Sequence, residues 1–320
     1  MKKNIAVVGA GYWGSNLVRN FHKLGVLNTI ADYDVGILLD MELYYHESVT
    51  ITQNYDHVLN NPDIEGVVIA TPAGTHFKLA AQAIAAGKDV FIEKPMALSS
   101  EEGQRLCDLA EGAGRMILVG HVLEYHPAIA ELYRIVKSGQ LGRLQYIYSN
   151  RLNMGKFRTN ENVLWSFAPH DISIMLSLTG QMPVRAVTHM ASFITKGVAD
   201  VTVTGLEFPD GVKGHIFVSW LHPYKEQRLV VIGDKGMVTF NGEVGSELIF
   251  YNKTVGFENN IPVPENRSSQ VIEYDKTEPL TIECLDFIRA IGERKAPMID
   301  GKQGVKVLKV LEMCQAAMKE

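Results

Sequence analysis

Ile5-Ala6-Val7-Val8 is wholly apolar, the mark of a strand buried on both faces. Gly9 to Gly14 follow. Leu17, Val18, Phe21 and Leu24 then fall on one face of a helix that Gly25 ends. Further buried strands are predicted over 27–31, 67–70, 90–92 and 116–120, and helices over 55–59, 79–86 and 99–113, with a looser stretch after Asp32. Strand alternating with helix in this way predicts a parallel, doubly wound α/β sheet.

After about residue 122 the texture changes. Alternating or β-rich runs occupy 144–152, 184–193, 201–208, 214–220, 228–233 and 237–240, divided by turn signals such as Pro209-Asp210-Gly211 and Asp234-Lys235-Gly236. They predict an open, mostly antiparallel sheet. Helices are expected beside it at 128–138 and 169–178, and two more at 281–293 and 301–319 close the chain. The polar stretch 256–279 reads as loop. The expected division is residues 1–121 for the first domain and 122–320 for the second, with the closing helix free to pack back on the first.

Composition narrows the classes. The 320 residues carry 31 basic and 36 acidic side chains, a net charge of -5, which gives no footprint for nucleic acid or an anionic membrane. Cys107, Cys284 and Cys314 lie far apart in apolar helical patterns, neither a disulfide framework nor a zinc set. Four residues precede the first strand, and no apolar run reaches bilayer length, so a reduced, cytoplasmic protein is expected.

Gly9-Ala10-Gly11-Tyr12-Trp13-Gly14 completes a G-x-G-x-x-G between a buried strand and a helix, and Asp32 ends the next strand 18 residues after Gly14. That context is what dinucleotide binding by a Rossmann domain requires. The glycines admit a tight turn and let a pyrophosphate approach the helix N-terminus. Asp32 suits the ribose hydroxyls and would repel a 2′-phosphate, so NAD is expected rather than NADP. Thr71-Pro72 to His76 and Glu93-Lys94-Pro95 each follow a strand's carboxyl end, where such sheets place ligands. Thr71, Pro72, His76, Glu93 and Lys94 therefore join the cofactor-binding candidates, although at a helix start a packed or capping histidine is the commoner outcome for His76. The Lys94 ammonium there is suited to hydrogen-bonding a substrate hydroxyl and easing loss of its proton. Pro169 suits a first helical turn, and His170 beside it sits where the positive helix end favours a neutral imidazole. By spacing alone His170 also reads as a structural histidine. His121 and His126, with Glu124 between, lack the H-E-x-x-H spacing, so no metal is expected.

Together these residues resemble the Gfo/Idh/MocA family of oxidoreductases over nearly the whole chain, with Gly139-Gln140-Leu141-Gly142 resembling the family's entry into its second-domain sheet. The resemblance implies oxidation or reduction of a secondary hydroxyl on a sugar, sugar derivative or cyclitol, with Lys94 and His170 as catalytic residues. The family often carries D-x-G-x-H before this histidine; here Ser166-Phe167-Ala168-Pro169-His170 stands, so the aspartate is missing at Ser166. Either His170 works with Lys94 alone or Asp171 takes a supporting role. Gly11-Tyr12-Trp13-Gly14 and Ala168-Pro169-His170-Asp171-Ile172-Ser173 are similar to the subgroup acting on UDP-linked amino sugars, which oxidises the C3 hydroxyl of UDP-N-acetylglucosamine or its uronic acid. A nucleotide diphosphate needs local donors, for which Arg151, Asn153, Lys156 and Arg158 are the candidates; a solvated basic loop is the plainer alternative. A free-sugar or inositol dehydrogenase and a non-catalytic NAD-binding regulator are the rival readings. A homo-oligomer is expected, the exposed sheet face being a plausible surface for it.

Overall fold

The computed structural model describes residues 2–155, 157–159, 161–242 and 247–319. They form two compact units. The first holds Met1–Tyr125 with Thr277–Leu308, and the second holds His126–Lys276 with Lys309–Glu320. Each unit is thus built from two stretches of chain, where the change of sequence texture implied one cut.

In the first unit, strands β1 (Ile5–Val8), β2 (Leu27–Ala31), β3 (Thr50–Thr52), β4 (Gly66–Ile69), β5 (Asp89–Glu93) and β6 (Ile117–Gly120) lie in the order β3-β2-β1-β4-β5-β6. Every pair is parallel. Helices α1 (Gly14–Lys23), α2 (Val35–Tyr45), α3 (Tyr55–Asn60), α4 (His76–Ala85) and α5 (Ser100–Gly112) connect them. The strand order reverses between β1 and β4, which opens the crevice at their carboxyl ends. β1, β4 and β5 are buried at every position, as continuous apolar runs between two layers must be.

Helix α2 lies in what the sequence reads as a looser stretch. Asp34 caps it, accepting from the Gly36 and Ile37 N–H groups. Only Leu38 in it is buried, while Val35, Leu39, Leu43 and Tyr44 are exposed, so no apolar stripe announces it.

The second unit begins with α6 (Pro127–Lys137) and β7 (Leu144–Leu152), then α7 (Val163–Phe167) and α8 (Pro169–Thr179). Seven strands follow: β8 (Arg185–Ala191), β9 (Val201–Glu207), β10 (Lys213–Ser219), β11 (Glu226–Gly233), β12 (Met237–Asn241), β13 (Leu248–Glu258) and β14 (Ile261–Ile272). Then the chain re-enters the first unit with α9 (Pro279–Glu293) and the start of α10 (Gly301–Ala316), and from Lys309 onward, with β15 (Met318–Lys319), it belongs to the second. The sheet order is β14-β13-β12-β11-β7-β10-β9-β8-β15. Only β7 with β10 and β8 with β15 run parallel, so the sheet is mixed and mostly antiparallel.

The expected loop over 256–279 is corrected here. Residues 261–272 form β14, paired with β13 from Glu258↔Ile261 to Leu248↔Ile272. Asn259 and Asn260 turn the hairpin at φ 51° and 63°, the left-handed region that asparagine tolerates. Pro262 and Pro264 hide the strand from a pattern reading, and they are tolerated because β14 is a sheet edge. The last helix also ends earlier than expected, at Ala316, giving way to β15 on the β8 edge. Cys107, Cys284 and Cys314 are free and buried. Among the described residues no helix is long and apolar enough to cross a membrane.

Candidate active site

The loop from β1 into α1 is shaped by its glycines. Gly9 takes φ +89°, and a Cβ there would lie 2.8 Å from the Ala70 carbonyl. A Cβ on Gly14 would collide with the Gly9 carbonyl oxygen, so the helix start can press against the loop only without a side chain. Asp32, buried at the end of β2, pins the same loop: its Oδ2 accepts the Ala10 N–H at 2.7 Å, and its Oδ1 accepts the Asp34 N–H at 3.0 Å.

Beside them opens a cavity of ≈ 830 Å³ whose lining includes Gly9, Gly11, Asp32, Thr71, Pro72 and Lys78. Its size suits the adenosine half of a dinucleotide. The glycine turn, the helix N-terminus and the carboxylate at the strand end fit that ligand as a set. Tyr33, Gln53, Asn54 and Lys78 line the cavity too, and the sequence reading missed all four. Gln53 and Asn54 follow β3, a strand of three residues, so the rule that ligands meet strand ends had no strand to start from. Lys78 comes from the first turns of α4, and nothing in the local wording after Asp32 points to it.

Thr71 and His76 are joined. The His76 ring, buried, places Nε2 2.7 Å from the Thr71 carbonyl oxygen and Nδ1 2.8 Å from the Pro95 carbonyl oxygen. Burial lowers its pKa, against the pull of the two carbonyls. With both nitrogens on backbone, His76 stitches the 71–76 loop to the Glu93-Lys94-Pro95 segment. Thr71 Oγ1 is also 2.6 Å from Thr75 Oγ1.

Trp13 and Glu93 meet each other. The Trp13 Nε1–H donates to Glu93 Oε1 at 2.6 Å, and Glu93 Oε2 accepts the Lys94 backbone N–H at 3.3 Å. Burial pushes the Glu93 carboxyl up to about 7, opposed by the indole hydrogen bond and the Lys94 charge. Lys94 itself is half-buried, and Tyr12 is 95% exposed. Two further buried groups lie nearby in the unit. His121, after β6, is pushed down to about 3 by burial and then by the Lys94 charge. Glu283 of α9 is held well above the usual carboxylate range by burial and then by the charges of Glu93 and Asp286, and neither of its oxygens has a hydrogen-bond partner among the described residues.

In the second unit, His170 is half-buried in the first turn of α8, and Ser166 is buried in α7. Arg151 and Asp171 take one another: Nε donates to Oδ2 at 2.8 Å and Nη2 to Oδ1 at 3.0 Å, both side chains buried. Arg151 reaches α8 because alternate residues of β7 (Ile147, Ser149, Arg151) point to the buried face. Arg158 pairs with Glu161 at 3.0 Å. The basic cluster is therefore partly neutralised from within, a partnering that residue spacing does not show. Asn153 bonds through its backbone N–H to the Ser219 carbonyl at 3.1 Å. Lys156 lies outside the described residues. Among the described residues, no group of three or more His, Cys, Asp or Glu is arranged to hold a metal ion.

Residues 3–121 match the GFO_IDH_MocA oxidoreductase family, NAD-binding Rossmann fold, and residues 129–239 match the GFO/IDH/MocA C-terminal domain. The UDP-N-acetylglucosamine 3-dehydrogenase of Acidithiobacillus ferrooxidans is 27% identical over 249 residues, covering 77% of this chain and 76% of that protein. The scyllo-inositol 2-dehydrogenase (NAD(+)) of Bacillus subtilis is 28% identical over 193 residues, covering 57% and 56%. A solved structure of the Acidithiobacillus enzyme, GnnA, shares the fold with a TM-score of 0.87 at 23% identity, over 98% of this chain and 97% of that one.

Proposed function

The chain belongs to the Gfo/Idh/MocA family of oxidoreductases, and we propose that it is an NAD-dependent dehydrogenase of a secondary hydroxyl on a nucleotide-linked amino sugar, the C3 hydroxyl being the favoured position. The observation that carries the reading is Lys94. It follows the carboxyl end of β5 directly, in the unit that bears the glycine loop, and its backbone is tied through Glu93 to Trp13 of that loop. NAD, when bound, supplies the hydride acceptor. The lysine ammonium donates a hydrogen bond to the substrate oxygen and stabilises the negative charge that grows there as the C–H bond breaks. His170 is proposed to accept the hydroxyl proton. Asp171, whose two oxygens are held by Arg151, acts on the first turn of α8 and so on the aim of the imidazole.

The nucleotide-sugar assignment draws on the likeness to the Acidithiobacillus relative and on the wording around Tyr12-Trp13 and Pro169-His170. A second reading, a free sugar or inositol, is favoured by one observation: Arg151 and Arg158 are both engaged by carboxylates, which leaves fewer of the expected cations for a diphosphate. Absorbance at the reduced-nicotinamide band, with NAD against a panel of UDP-sugars, free sugars and inositols, decides between them, and calorimetry with UDP supplies the second arm. Lys94→Ala should lower turnover by about a thousandfold or more, since it removes an electrostatic stabiliser, with NAD affinity within about threefold of wild type. Wild-type turnover in that variant would end the Lys94 assignment.

A further inference from the structure

The proposed reaction gives Glu93 no direct task, yet the fold invests in it. The side chain is buried at the end of β5, in register with Gly120 of β6. A Cβ on Gly120 would lie 2.8 Å from Glu93 Oε2, so the carboxylate is wedged against backbone that has no room for a side chain. Glu93 also accepts the Lys94 N–H on Oε2 and the Trp13 indole N–H on Oε1. Trp13 lies in the glycine loop, 80 positions earlier in the chain. An indole N–H is only a donor, and a carboxylate only an acceptor when ionised, so the contact has one polarity and one geometry.

We propose that Trp13 is a positioning residue, whose hydrogen bond to Glu93 ties the cofactor loop to the strand end that carries Lys94, so that a dinucleotide seated on the loop also fixes the turn from which the lysine acts. The catalytic consequence rests on the dehydrogenase reading above; the contact is a property of the chain alone. Turns beyond strand ends are the softer parts of such a unit, and a misplacement of about 1 Å costs a reacting group roughly a hundredfold. A single bond from the loop that receives the cofactor to the residue preceding Lys94 removes that freedom where it matters. Phenylalanine at position 13 keeps an aromatic ring, smaller than the indole, in a site that is 38% exposed, and removes the donor. Glutamine at position 93 keeps an acceptor oxygen for the indole, and leucine removes it.

The test uses the full chain with Trp13→Phe, Glu93→Gln, Glu93→Leu and the double variant Trp13→Phe/Glu93→Leu. Trp13→Phe should lower kcat about tenfold or more, while Kd for NAD by calorimetry and KM for the sugar move less than about threefold. Glu93→Gln should recover most of kcat, Glu93→Leu should match Trp13→Phe, and the double variant should be no worse than either, because the two side chains act as one contact. The second readout needs no turnover. In ¹H–¹⁵N spectra the Trp13 indole resonance, identified by its loss in Trp13→Phe among the three tryptophans, should shift on adding NAD and should move toward the free-indole position in Glu93→Leu. Wild-type kcat in Trp13→Phe, equal losses in Glu93→Gln and Glu93→Leu, or an indole resonance indifferent to Glu93→Leu would each overturn the proposal. A wild-type protein that oxidises no sugar defeats the dehydrogenase reading instead, and the indole resonance then decides the contact by itself.

Discussion

Glu93 and Asp171 are both buried carboxylates one residue away from a candidate catalytic side chain, and the two units hold them by opposite means. Asp171 is gripped by a guanidinium through two parallel hydrogen bonds. Glu93 is met by an indole and a backbone N–H, donors without a formal charge. A bidentate arginine pair fixes charge as well as geometry. Uncharged donors fix geometry while leaving the proton affinity close to neutrality, and Glu93 is pushed up to about 7. Behind Glu93 stands a further buried carboxyl, Glu283, with no comparable partner among the described residues. The parallel-sheet unit thus stores unfavourable electrostatics beside Lys94, and the mixed-sheet unit cancels its own beside His170. Perturbed groups of the first kind mark sites where chemistry is tuned.

The largest test of that contrast is Arg151→Ala. It strands a buried carboxylate and should destabilise the fold by about 3–5 kcal/mol in chemical denaturation. Replacing both partners, as Arg151→Met with Asp171→Leu, should cost much less, within about 1–2 kcal/mol of wild type. Equal losses for the single and the double variant would show that the pair is not what holds the turn.

Glu283→Gln comes next and should act in the other direction. Because the folded protein holds the Glu283 proton more tightly than the unfolded chain does, the contribution of Glu283 to stability is most favourable below the unfolded carboxyl pKa and is lost as pH rises above it. The amide removes that loss. It should therefore stabilise the protein by about 1–2 kcal/mol at pH 8 and by much less at pH 4.5, read from urea midpoints at the two pH values. A stabilisation that does not grow with pH would refute the account of Glu283. The smallest expected effect is at the β13–β14 turn: Asn260→Gly, at φ 63°, should change stability by less than about 1 kcal/mol. It should leave NAD binding untouched, because the turn belongs to the unit without the glycine loop.

Legibility in the sequence followed local pattern rather than the division into units. Parallel strands buried on both faces announce themselves as unbroken apolar runs, so Ile5–Val8 and its successors were readable, and each placed its following motif at a strand end. Glycine spacing is equally local. Gly14 is glycine because the Gly9 carbonyl would meet its Cβ, a constraint within one segment, whereas the backbone that excludes a Cβ at Gly9 is that of Ala70, far along the chain. Edge strand β14 was not readable, since its prolines and polar residues obey the tolerance of an edge and not the alternation of a covered strand. Helix α2 failed for want of a stripe. At the site, residue types were legible but not their partners. Arg151 and Asp171 were each marked as candidates without any sign that they meet, because a pair 20 positions apart across a strand and a helix leaves no local trace. Trp13 and Glu93 are the same case at greater distance.

Asp32 carries a consequence for how cofactor preference evolves. The side chain that would turn away a 2′-phosphate is also the acceptor that holds Ala10 in the glycine loop. A mutation that removes the side-chain acceptor together with the charge relaxes the first property and loosens the second in the same step. Lys78, already lining the cavity, offers a cation that a phosphate would welcome, so the electrostatic half of a switch toward NADP is within reach. The loop half is not. A lineage crossing from one nicotinamide to the other would need a replacement such as asparagine or serine that still accepts from Ala10, and the intermediates without one would lose grip on both cofactors. Position 32 is thus constrained by scaffolding as much as by charge.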